Sequence, residues 1–77
     1  MNNVKDIKYI KYFGENLRDI RTSQKMSQEV LAYTSDIPIS QVGRIERGEI
    51  NTTISTAKVL AKALNVSVKR LFDFEEK

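Results

Sequence analysis

The clearest periodicity in the chain lies in residues 27–48, SQEVLAYTSDIPISQVGRIERG, where two short helical patterns flank a polar turn. At about 100° per residue, Ile39, Ser40, Gly43, Arg44 and Arg47 share one arc of the second pattern, and Pro38, Val42, Ile45 and Glu46 share the other. The second arc is mostly apolar, as a core-facing stripe is; the first is small, polar and basic. An ordinary surface helix mixes acids and bases on its exposed face. Here the only acid of the helix, Glu46, falls on the inward arc, and the outward arc has the profile expected of a helix laid against DNA.

The flanking patterns extend the helical reading. Phe13, Leu17 and Ile20, spaced i, i+4, i+7, predict an amphipathic first helix that runs to about Gln24. Ser27 is a good N-cap for a second helix starting near Gln28, with Leu31 in the core and Ala32 small where the third helix approaches. The third helix is expected over residues 39–47, with Gly48 as its C-cap. Thr53 caps a fourth, whose core stripe is Ile54, Ala57, Leu60, Ala61 and Leu64; Ser67 caps a fifth, in which Val68 and Leu71 close the core.

SQE at residues 27–29, the LA pair at 31–32, RIERG at 44–48 and ALNVSVKRLF at 63–72 stand in the order and spacing of the lambda-repressor/Cro helix-turn-helix family. The chain resembles that family over residues 13–72. The resemblance implies an all-α, five-helix lambda-repressor-like fold with helices 2 and 3 as the helix-turn-helix. It implies a sequence-specific transcriptional regulator, of repressor or restriction-modification controller type, binding a palindromic operator on double-stranded DNA as a homodimer. Two departures are mild: Asp36 stands where relatives often place glycine in a left-handed backbone, and Pro38 stands where they place a serine or threonine N-cap. Asn65 takes a left-handed position usually filled by glycine.

By the same resemblance, Arg21 forms a buried ion pair with Glu46. The helical projection supports the pair independently, since an inward carboxylate needs a cationic partner. Gln28 and the start of helix 2 are expected at the DNA backbone, and Ile39 and Ser40 at the first base edges. Gly43 would let the backbone approach the groove. Arg44 is the expected guanine reader, a pairing worth about 1–3 kcal/mol of discrimination, and Arg47 a phosphate contact. For Arg21, Gln28 and Arg44 the competing reading is an ordinary solvated side chain. The loop reads EINT where relatives often carry lysine or arginine, leaving Asn51, Thr52 or Thr53 as its contacts and predicting a gentler salt dependence. Phe72 and Phe74 either finish the core or form the dimer interface.

Composition narrows the alternatives. Seventy-seven residues make one domain with one small core. With no histidine and no cysteine, the usual metal ligands and nucleophile–base pairs are missing, so no metal, cofactor or catalytic site is expected and the chain is read as a non-enzyme. No apolar run is long enough for a membrane span or a signal peptide, which makes a cytoplasmic location the default. The net charge is +3, and three of the ten acids fall in the last five residues. Residues 1–12, MNNVKDIKYIKY, read as a basic extension in which Lys5, Lys8 and Lys11 recur every three residues and Asp6 could cap a helical turn or two. They either pad the domain or reach phosphates as an arm. Residues 73–77 read as a frayed acidic tail. No small-molecule effector is evident, and the runner-up is an antitoxin-like interaction module holding a partner through its C-terminal apolar residues.

Overall fold

The computed structural model describes residues 4–77 and contains α1 (Ile7–Ser23), α2 (Gln28–Ser35), α3 (Ile39–Glu46), α4 (Ile54–Ala63) and α5 (Val68–Leu71), with no strand among the described residues. Four of the five helices start at a side-chain cap. Asp6 accepts from the Tyr9 amide at 3.0 Å, Ser27 from Val30 at 3.1 Å, Thr53 from Thr56 at 3.1 Å and Ser67 from Arg70 at 3.2 Å. Each bond satisfies an amide that has no partner inside its helix. Only α3 lacks such a bond, because Pro38 precedes it. Asp36, Gly48 and Asn65 turn the chain out of α2, α3 and α4 with φ of 57°, 73° and 57°, as their short or absent side chains allow. Lys25, also at 57°, makes a fourth such turn that the sequence pattern did not flag.

Leu17, Leu31, Val42, Ile45, Leu60, Leu64 and Leu71 are fully buried at the centre, with Phe13, Ile20, Ala57 and Ala61 around them. Ile54 departs from the expected core stripe: it is 89% exposed. As the first residue of α4 it overhangs the rim of the bundle, so the stripe takes effect only from Ala57 onward.

α1 begins at Ile7, so the basic segment forms the first turns of the same helix that carries Phe13, Leu17 and Ile20. Met1, Asn2 and Asn3 of the expected extension lie outside the described residues. The tail lies along α1 instead of fraying: Phe74 is half-buried with its ring 5.0 Å from Tyr9 and 6.1 Å from Tyr12, and the Tyr12 hydroxyl donates to the Lys77 carbonyl at 2.7 Å. Aromatic burial of this kind outweighs the small repulsion among the tail acids.

Two side-chain amides, one on α1 and one on the residue that ends it, serve the ends of other helices. Asn16 Nδ2 donates to the carbonyls of Arg70 and Leu71 at 3.0 and 2.8 Å, and Gln24 Nε2 to that of Leu64 at 2.8 Å. Gly14 brings α1 against the last turn of α3: a Cβ there would clash with the Ile45 carbonyl oxygen and stand 2.7 Å from that of Glu46. No helix among the described residues is long and apolar enough to cross a membrane.

Candidate nucleic-acid interface

α3 is held from its inward face. The Glu46 carboxylate, 6% exposed, accepts Arg21 Nε at 2.6 Å on Oε2 and Arg21 Nη2 at 3.0 Å on Oε1. Arg21 Nη1 donates to the Met26 carbonyl at 2.7 Å, which ties the pair to the turn before α2. Gln28 Nε2 adds the carboxylate's third bond, to Glu46 Oε1 at 2.9 Å. A carboxylate taken out of water needs this many donors. The result fixes α1, α2 and α3 at one point. Gln28, expected at the DNA backbone, has its amide turned inward to this carboxylate.

On the opposite side of α3, Ile39, Ser40 and Arg44 are exposed. Gly43 is itself buried, and the nearest side-chain atoms to an added Cβ belong to the Arg47 guanidinium, with Nη1 at 2.9 Å. Arg47 is folded back there because its Nε donates to Glu49 Oε2 at 2.7 Å; Arg44 Nε stands 3.7 Å from Glu49 Oε1. The hydrogen bond from Arg47 holds the Glu49 carboxyl below the ordinary glutamate range and raises the guanidinium in turn. Asn51 is exposed, with Nδ2 donating to the Val4 carbonyl at 3.3 Å, so it ties the loop to the segment before α1. The structure therefore brings Ile39, Ser40, Gly43, Arg44 and Arg47 together on one face and sets Gln28 and Asn51 on internal partners.

Phe72 and Phe74 divide between the two roles open to them. Phe74 packs on the core and on Tyr9. Phe72 packs at a tilt on Phe13, ring centres 4.9 Å apart, yet remains 43% exposed. It lines a shallow cleft of about 190 Å³ with Tyr9, Phe13, Ile50, Ile54 and Ala57. Ile50, Ile54 and Tyr9 were not read from the sequence as surface residues; an isoleucine directly after an N-cap is the one signal that pointed there. Tyr33, 90% exposed on α2, lies off the apolar stripe of its helix, a position visible in the sequence.

The helix-turn-helix family HTH_3 matches residues 17–71. Control protein C.SmaI of Serratia marcescens is 47% identical over 66 residues, which cover 86% of this chain and 76% of that one. Among solved structures, the restriction-modification controller C.AhdI from Aeromonas hydrophila superposes with a TM-score of 0.81 at 40% identity, covering 82% of this chain and 96% of its own. The controller C.Esp1396I, solved as a tetramer in complex with its natural 35 base-pair operator, superposes with a TM-score of 0.78 at 30% identity over 90% of each chain. With the α2–α3 motif, its buried brace and these likenesses in hand, the chain belongs to the helix-turn-helix family to which the restriction-modification control proteins also belong.

Proposed function

We propose that this protein is a sequence-specific transcriptional regulator of the restriction-modification controller type, acting in the cytoplasm on double-stranded DNA. The observation that carries this reading is the outward face of α3. It offers an apolar contact from Ile39, a hydroxyl from Ser40, a backbone without a side chain at Gly43 and a guanidinium fork from Arg44, while Glu46 on the other side anchors the helix. Arg44 reads a guanine through its O6 and N7, and Arg47 meets phosphate. The amides at the start of α2 face phosphate as well.

One such helix reads too few bases for useful specificity. A homodimer places two copies of α3 in successive major grooves about 34–36 Å apart, on a palindromic operator. The face assigned to that dimer is the cleft rim of Phe72 and Ile54. Phe74 is spent on Tyr9 and Tyr12, which leaves the antitoxin-like alternative without a free apolar segment among residues 73–77.

Selection from a random duplex pool at moderate salt, with the mass of the enriched complex measured, tests the proposal. The expected result is a palindrome bound by two chains or a multiple of two. Arg44→Ala then relaxes the preference at one position of each half-site. A uniform loss on all sequences would make Arg44 a phosphate contact, and enrichment of nothing would refute the regulator reading.

A further inference from the structure

Glu49 stands where helix stability gives it no reason to be. It follows the C-cap of α3, at the negative end of the helix dipole, where an acid is unfavourable. Its backbone position is set by the cap itself: the Gly48 amide donates to the Ile45 carbonyl at 3.0 Å and the Glu49 amide to the Arg44 carbonyl at 2.9 Å. With Gly48 at φ 73°, these two hydrogen bonds swing Glu49 back over the last turn. Its carboxylate then lies between two arginines three positions apart, 2.7 Å from Arg47 Nε and 3.7 Å from Arg44 Nε. Arg47, so held, covers the backbone of Gly43.

We propose that Glu49 is an internal competitor of DNA for Arg44 and Arg47, occupying in the free protein the place that a phosphate takes beside Arg47 and a guanine edge takes beside Arg44 in the complex. The inference rests on the reading of α3 as the DNA-facing helix and adds to it a residue that lowers affinity. A carboxylate presents two acceptor oxygens to a guanidinium as a phosphate does. Both arginines must therefore leave Glu49 before the groove can be entered, and the freed carboxylate then sits beside the DNA backbone as a like charge. Glu49 holds down binding to any duplex, sequence-matched or not. That restraint keeps a basic protein of this size from being held on unrelated DNA.

The test compares wild type with Glu49→Gln, and with Glu49→Ala as a second neutral variant, by titration of labelled duplexes between 50 and 200 mM salt. Two duplexes are used, the selected operator and an unrelated sequence of the same length. Removing one opposing charge is equivalent to about one further phosphate neutralised, so the slope of log K on log salt steepens by about 0.9. Both neutral variants bind both duplexes more tightly at 50 mM, and their advantage shrinks about three- to fourfold by 200 mM. In an Arg47→Ala background the gain from Glu49→Gln falls by more than half. Unchanged affinity and slope in folded variants would overturn the proposal, and so would weaker binding, which would make Glu49 a residue that orients the arginines. If wild type bound neither duplex at any salt, the reading of α3 would itself fail, an outcome distinct from a wild type and variant that bind alike.

Discussion

Two glycines lie inside helices of this protein, and the structure gives them opposite signs when replaced by alanine. In a helix interior the exchange alone contributes about 0.5–1 kcal/mol of stability, by reducing the freedom of the unfolded chain. At Gly43 nothing opposes that gain. The nearest atom to a new Cβ is Arg47 Nη1 at 2.9 Å, the far end of an exposed side chain that swings aside. Gly43→Ala is expected to raise the melting temperature by a few degrees, at about 4–8 °C per kcal/mol for a domain of this size. At Gly14 the Cβ meets the Ile45 carbonyl oxygen and, at 2.7 and 3.0 Å, the carbonyl oxygen and carbon of Glu46. Backbone does not swing aside, and this stretch is pinned by the two hydrogen bonds from Arg21. Overpacking of a rigid contact costs about 1–3 kcal/mol, and here the upper half applies. Subtracting the propensity gain leaves Gly14→Ala less stable by about 1–2.5 kcal/mol, a large share of what a chain this short has. Urea unfolding followed by helical circular dichroism measures both variants on one scale. A Gly14→Ala protein as stable as wild type or better would mean that α1 does not touch the α3 backbone, and the account of how the recognition helix is seated would be wrong. Gly43→Ala has a second readout. It should be more stable yet bind the operator less tightly, if the new methyl stands on the face proposed to enter the groove.

Glu46→Ala leaves the Arg21 guanidinium buried without its partner, and urea unfolding should show a loss of about 3–5 kcal/mol; a loss under 1 kcal/mol would mean that water reaches the pair. Ile54→Glu alters a residue that is 89% exposed, so unfolding of the isolated chain should shift by no more than about 0.5 kcal/mol. Sedimentation of the same variant should show a monomer at concentrations where wild type is a dimer, and an unchanged dimer would move the interface off the Phe72 cleft.

What was legible in the sequence is what depends on neighbours close along the chain. Ser27, Thr53 and Ser67 act on amides three residues away, and Asp36, Gly48 and Asn65 on their own backbone angles, so a single pass along the sequence finds them. The apolar stripes are equally local, which is why the core came out nearly whole. Ile54 failed because a helical stripe says which side of α4 faces inward, not whether any other helix reaches that far along it. Asn16, Gln24 and Gly14 were silent for a related reason. Each acts on a carbonyl distant in sequence, the two amides 40 or more residues away, and nothing local marks a glycine or an amide as having such a partner.

The candidate site divides along the same line. The outward arc of α3 was readable from periodicity alone, and the structure places Ile39, Ser40, Gly43, Arg44 and Arg47 on one face. Whether a side chain on that arc is free is a different question, because it depends on competing partners. Gln28 turns to Glu46, Asn51 to Val4, and both arginines lean on Glu49. Of these contacts, only the last lay within reach of local reading. A glycine C-cap brings the residue after it back over the carbonyl five positions earlier, which here joins Glu49 to Arg44. An acid directly after a capping glycine, on a helix with arginines five and two positions before it, is therefore the local pattern behind the restraint proposed for α3.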